Sequence, residues 1–433
     1  LMGYEMDGRR FGGISPDREP RVYSAAQDYI EEQLRNLDAT DRFIGWAKSL
    51  ATLKFLGFSV RSAIVNMTAL LSTAPVAIHQ YVAGGSVSFS RINRHLAKAG
   101  IDYARFMTGK KLANPEEQAF LDEVKRLGWD DPQYTRDALG GLNKVHNRIW
   151  STMMDGAMWL FGTTEQLNRG ATVLAAYRIA RNMGKGSEEA AELAKISSDK
   201  AHGVYGRATL PAVAWGRNPA AKIAQMLYVY QKFSHNYLQM LYETGFKKKN
   251  IKGAIYGIVA PIILSGVVAA PLKELWLLPV INLLATLFGA KDWDEDIEKW
   301  FWDVTRQNFG EKVEIMGRFG LAGAIGGDIS GSLSIGVGIP KDMYEWGGAI
   351  GGVAKEGITA AREFGQGRYA RATEHLLPSG FANVARAVRE RGEGVTTERG
   401  GRVWDGQGSP LFPTAGETAL RTVGLRSSRQ ATL

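Results

Sequence analysis

The chain has 433 residues and a mean hydropathy of −0.17, long enough for a substantial core and two or three domains, and too polar to live wholly in lipid. A formal charge of +9 favours acidic partners such as DNA or anionic lipid. The absence of cysteine excludes disulfides, thiolate metal sites and a cysteine nucleophile.

Residues 1–22 are rich in Gly, Pro and charge and read as an N-terminal arm without the apolar core of a secretory signal. The first residue, Leu1, fits a processed product or part of a longer polypeptide. Helical periodicity starts near Tyr23 and runs to 246 as a helical domain. Within it, Phe43–Tyr81 is densely apolar, with Lys48, Lys54 and Arg61 as its only charges, and Pro75 should kink or end a helix there. Residues 84–140 resemble an ordinary soluble insert, in which Asn114, Pro115, Glu116 and Glu117 form a helix start. A long helical pattern covers Leu142–Met183. Thr163 and Gln166 there suit a capping box, so Gly162 is expected to divide it into two helices.

The segment 247–302 stands out. Four lysines (Lys247, Lys248, Lys249, Lys252) precede Gly253–Ala290, which holds only two charges, Lys273 and Glu274, between Pro271 and Pro279. This reads as an apolar helical hairpin. Its first arm, Gly253–Ala270, would span about 27 Å as an ideal helix, close to the thickness of a bilayer's hydrocarbon layer. The residues expected to enter lipid are Ile255, Ile258, Ile262, Leu264, Val267, Trp276, Leu278, Ile281, Leu284 and Leu287; the four lysines would meet phosphate of lipid headgroups or DNA. Tyr256, Trp276, Trp293, Trp300 and Trp302 suit a headgroup boundary. The same pattern also fits a hairpin buried in a helical core or in a protein interface.

Residues 303–364 form a glycine-rich apolar region, either an irregular loop or a second membrane-active segment with small residues at close helix contacts, such as Gly323 with Gly327 and Gly347 with Gly351. Residues 365–433 read as a basic, partly extended tail. The expected fold is mainly α, an elongated multi-helix assembly with the apolar hairpin and a partly irregular C-terminal region.

The chemistry-bearing motifs are missing from the sequence. The six histidines, His79, His95, His146, His202, His235 and His375, form no metal-spaced pair. Phosphate-binding loop and nucleophile-elbow patterns do not occur. Asp292, Asp294 and Asp296 are spaced like calcium-loop ligands, but Ile297 and Asp303 occupy the positions that such a loop gives to Gly and Glu. No catalytic residue, cofactor or metal is therefore expected.

Three phrases occur in order: LGFSVRSAIVNMTALLS (Leu56–Ser72), TEQLNRGATVLAAYRIARNMGKGSEEAAELA (Thr164–Ala194) and FPTAGETALRTVGLRSSR (Phe412–Arg429). Together they resemble the helical large polyvalent protein-associated domains near the C-termini of very long phage and prophage proteins. The resemblance covers most of 40–430, with gaps, and rests on packing and turn patterns. It implies an internal virion (ejection) protein, carried in the capsid as a homo-oligomer with other core and portal proteins. After ejection, such a protein would lie in the host cell envelope as part of a conduit, contacting double-stranded DNA non-specifically and the host inner membrane. A soluble helical scaffold with its hairpin buried in a protein interface is the alternative.

Overall fold

The chain turns on strong local stop and start signals. Helix α1 (Ala39–Leu56) opens with a reciprocal capping box: the Asp38 carboxylate accepts from the Asp41 N–H at 2.7 Å, and the Asp41 carboxylate from the Asp38 N–H at 3.1 Å. Ser59 caps α2 (Val60–Met67). A 3₁₀ turn, Thr68–Leu70, separates α2 from α3 (Thr73–Tyr81). The expected break near Pro75 therefore comes before the proline, which sits in the first turn of α3, where a missing N–H leaves no helical bond unmade. Helix α4 (Phe89–Met107) starts at Ser88. Helix α5 (Pro115–Leu127) starts at Asn114, whose side chain accepts from the Glu116 N–H at 2.9 Å, and ends at left-handed Gly128. The computed structural model describes 4–6, 9–11, most of 23–31, 38–133, 148–205, 209–228 except 217, 231–267, 296–329 except 325, and 348–432 except 398, 399, 406 and 407, with isolated positions such as Thr135.

Helix α6 (Arg148–Asn182) runs 35 residues, about 52 Å. Gly162 does not divide it. The Thr163 hydroxyl donates to the Trp159 carbonyl at 2.7 Å, a bond within the helix that replaces the expected cap. Helix α7 (Ser187–His202) folds back along α6. Helices α3, α4, α5, α6 and α7 share the main core, which is alanine-rich where backbones approach (Ala74, Ala77, Ala99, Ala175, Ala176, Ala190, Ala194) and filled elsewhere by Ile78, Ile92, Leu96, Leu121 and Leu174.

Two tight features lock that core. A Cβ on Gly170 would lie 2.0 Å from the Tyr103 ring, so the ring of α4 rests directly on the backbone of α6. The Tyr103 hydroxyl donates to Asp130 at 2.5 Å, and burial together with that carboxylate pushes its pKa up. One residue earlier, Arg169 is wholly buried, with Nε 3.4 Å from Glu165 and a terminal nitrogen donating to the Gly203 carbonyl at 2.8 Å. Beside it His202 pairs with the Thr172 hydroxyl at 2.8 Å; burial, reinforced by the Arg169 charge, drives its pKa down to about 3.

Helix α8 (Pro219–Leu227) is tied to α1 by Lys222, which bridges Asp38 and Asp41. Helices α9 (Gln231–Tyr242) and α10 (Ile251–Ser265) are joined by a π-turn, Glu243–Lys247. Helices α11 (Asp296–Phe309) and α12 (Glu311–Ala324) pack together, and α12 reaches α10. Trp302, expected at a headgroup boundary, is instead buried: Gly317 makes room for its ring and the Arg318 guanidinium lies over it at 5.3 Å. The apolar arm beyond Val267 lies outside the described residues.

The C-terminal region carries more helix than an extended tail would. Helices α13 (Gly348–Gly365), α14 (Tyr369–Leu376), α15 (Ser379–Glu393) and α16 (Ala415–Thr422) pack in sequence. Their arginines face buried glutamates: Arg371 meets Glu363, Arg389 meets Glu374 at 2.6 Å and Arg421 meets Glu390 at 3.0 Å. These three arginines are therefore internal glue. The described strands are short: β1 (Tyr4–Met6) pairs antiparallel with β2 (Arg9–Phe11), and β3 (Gly327–Asp328) with β4 (Arg426–Ser427), which clips the C-terminus to α12. The fold is mainly α.

Gly170→Ala is expected to lower stability by about 2–4 kcal/mol in denaturant titrations, because neither backbone nor Tyr103 can retreat. His202 has a folded pKa below its unfolded value, so its contribution is complete above pH ~6.5 and is lost as the pH falls toward 3. Across that window stability should fall by up to about 1.4 kcal/mol per pH unit, and His202→Gln should flatten the slope.

Candidate membrane-facing helix

Helix α10 distributes its residues in an unusual way. Gly253, Gly257, Ala260, Pro261 and Ser265 are turned inward and buried. Ile251, Ile255, Ile258, Val259 and Ile263 are turned outward, with Ile255 at 55% and Ile263 at 54% exposure. At 100° per residue the outward set covers a sector of roughly 140°. A helix of a water-soluble core buries its large aliphatic side chains; this one buries its small residues and presents the large ones.

The inward face is made for close approach. A Cβ on Gly257 would sit 2.5 Å from the Leu241 side chain. Gly266, at φ 80, closes α10 against the backbone of Arg318, and Gly320, at φ 62, breaks α12 at the same point. Pro261 cannot donate to the Gly257 carbonyl four residues back. That carbonyl accepts instead from the hydroxyl of Tyr237 on α9, a buried side chain that thereby pins the proline turn.

Along one edge of the outward face lies an open groove of about 510 Å³, lined by Leu71, Phe89, Lys252, Tyr256, Val259 and Ile263 among others. The Tyr256 ring stacks on Phe89 at 4.1 Å, and its hydroxyl donates to the Leu71 carbonyl at 3.1 Å and accepts from Asn93 at 2.9 Å. Tyr256 thus holds α10 on α4.

At the N-terminal end, Lys247, Lys248, Lys249 and Lys252 are all exposed, and Lys249 adopts the left-handed conformation at φ 53. Phe246 is 78% exposed beside them, and Lys247 Nζ lies 5.6 Å from the Tyr242 ring. The preceding π-turn is anchored by Glu243, which accepts from Lys200 at 2.8 Å, from Tyr81 at 2.9 Å and from Gln239 at 2.9 Å. Burial raises the Glu243 pKa, but these bonds and the Lys200 charge outweigh it and bring it to about 2.

Of the residues expected to enter lipid, Ile255 and Ile258 are exposed, Ile262, Leu264 and Val267 are half-buried, and Trp276, Leu278, Ile281, Leu284 and Leu287 lie outside the described residues. Val259 and Ile263 belong with the exposed set, and Pro261 and Tyr237 with its support; the sequence signal for the last two was an in-helix proline, whose freed carbonyl requires a donor. The other apolar stretch, Val60–Tyr81, is by length and composition long enough to cross a membrane, but half of it is buried. Ala74, Val76, Ala77 and Ile78 are fully enclosed, so within this stretch α3 belongs to the core. Among the described residues, no group of acidic residues and histidines could hold a metal ion. No family model, curated protein or solved structure matches the chain.

Glu243→Gln should destabilise the protein by about 1–3 kcal/mol at pH 7. Because the folded pKa is depressed, the difference from the parent should be full above pH ~4.5 and shrink as the pH falls toward 2, a trend that thermal melts across that range would follow.

Proposed function

We propose that this chain is a non-enzymatic structural protein that engages a membrane through the outward apolar face of α10. The observation that carries this reading is the inverted burial of that helix, small residues inward and large aliphatic residues outward. Exposed lysines with Phe246 and Tyr242 at its N-terminal end suit an anionic headgroup layer. At 15 residues α10 is about 22 Å long, short of a bilayer's hydrocarbon layer, so its own contact would be with one leaflet.

The resemblance to large polyvalent protein-associated domains supplies the setting: an internal virion (ejection) protein, stored as a homo-oligomer with core and portal proteins, then acting in the host envelope as part of a conduit for viral DNA. A second exposed apolar strip, Phe381, Val384 and Val388 on α15, supports assembly with further copies or with virion proteins. The competing reading is a soluble scaffold, favoured by the enclosure of α3 in the core, with the α10 groove taking a protein partner.

Flotation with phosphatidylglycerol-containing vesicles separates the two. The parent should float, and Ile255→Asp with Ile263→Asp should weaken vesicle binding at least tenfold, since each buried aliphatic side chain contributes about 1.5–3 kcal/mol. Both positions are exposed, so the variant should keep the parent's helical circular dichroism and melting temperature. If it floats as well as the parent, α10 is not the membrane contact.

A further inference from the structure

Helix α4 carries a charge pattern that the membrane reading does not use. Residues 89–111 hold six basic residues and a single acid, Asp102, a net +5 of the chain's +9. Arg91, Arg94, Lys98 and Arg105 are all exposed. At 100° per residue they fall in a sector of roughly 60°, a straight stripe about 21 Å long from first to last. None of the four has an ion-pair partner among the described residues. The neighbouring acids are committed elsewhere: Asp102 and Glu117 to Arg178 at 2.7 and 2.5 Å, and Glu116 to Arg181 at 2.8 Å. Arg371, Arg389 and Arg421 make the contrast, since they are matched by buried glutamates.

The opposite side of α4 fixes the stripe's direction. Ile92, Leu96, Ala99 and Tyr103 are buried in the main core, so the stripe looks away from it. Positive potential is felt locally at His95, whose pKa is lowered first by burial and then by Arg91, Arg178, Lys98 and Arg94.

We infer that this stripe is a binding surface for the phosphate backbone of double-stranded nucleic acid. A rigid row of unpaired cations matches a rigid row of phosphates: about 21 Å of duplex carries some 12 negative charges, of which one helix face reaches a few. The aromatic residues of α4 are turned elsewhere, Tyr103 and Phe106 into or against the core and Phe89 onto Tyr256. A single strand would therefore find no ring to stack on. One exposed aliphatic residue, Ile101, flanks the stripe, too little apolar surface to anchor a bilayer. The surface reads charge and shape and carries no base specificity. It shares with the proposed role only the presence of DNA and needs no lipid.

The test is fluorescence anisotropy of a labelled 30-base-pair duplex with the full chain, without lipid, from 50 to 300 mM salt. The parent should bind with a steep salt dependence. Arg91→Gln, Arg94→Gln, Lys98→Gln and Arg105→Gln combined should weaken binding at least tenfold at 100 mM salt. The combination should also flatten the slope of log K against log salt by about 3–4, near 0.9 per lost phosphate contact. Lys312→Gln and Arg391→Gln combined, exposed basic residues on other helices, should leave that slope in place. The inference is overturned if the parent does not bind the duplex, or if the fourfold variant binds it as the parent does. It is equally overturned if the fourfold variant keeps duplex binding but loses anionic vesicles, which would make the stripe a lipid contact. A parent that binds duplex but fails to float overturns the membrane reading and leaves this one standing.

Discussion

The close approach of α4 to α6 at Gly170 is the constraint on which most of the structure depends. With no side chain at that position, the Tyr103 ring rests on the α6 backbone and its hydroxyl reaches Asp130. That contact sets the rotation of α4 about its axis. Once Tyr103, Ile92, Leu96 and Ala99 are turned inward, the periodicity of the helix leaves no choice about what is turned out: Arg91, Arg94, Lys98 and Arg105. Next to Gly170, buried Arg169 ties the same turn of α6 to the end of α7 through Gly203. One turn of one helix thus holds three elements in register.

Helix α10 follows the opposite rule, with its own local logic. Its small residues let it lie close on α3, α9 and α12, and the bond from Tyr237 to the Gly257 carbonyl meets the hydrogen-bonding need that Pro261 creates. Close packing through glycine and alanine yields less hydrophobic burial than packing through isoleucine, so the helix is not built to maximise its hold on the rest of the protein in water. The aliphatic face is left available, on a support that is itself well fixed by Tyr256 and Glu243.

Much of this was legible in the sequence, and the limits were physical. The Asn114–Pro115 start stands because capping is a local interaction, readable from four residues. The Gly162 break failed because a Thr hydroxyl can bond back to its own helix as readily as it can cap the next one. Apolar density marked both Val60–Tyr81 and α10, but density cannot say whether a helix is enclosed by others: α3 is buried in the core, whereas Ile64, Met67 and Leu71 before it and the aliphatic face of α10 are exposed. Trp302 was assigned by residue type to a headgroup layer, whereas the room made for it by Gly317, fifteen residues away, is a tertiary fact.

Charge shows the same limit most clearly. By composition, residues 365–433 read as a basic tail and residues 84–140 as an ordinary insert. Folding changes what those charges can do. Arg371, Arg389 and Arg421 find Glu363, Glu374 and Glu390 in a low-dielectric interior, where breaking a pair would leave a buried charge uncompensated, so these three are not available to a ligand. On α4 the spacing that seats its apolar residues in the core collects four cations on the solvent side, with the nearby acids already held by Arg178 and Arg181. What matters for binding a polyanion is not how many basic residues a segment has but how many the fold leaves unpaired and aligned, and by that measure α4 is a basic surface that composition did not mark.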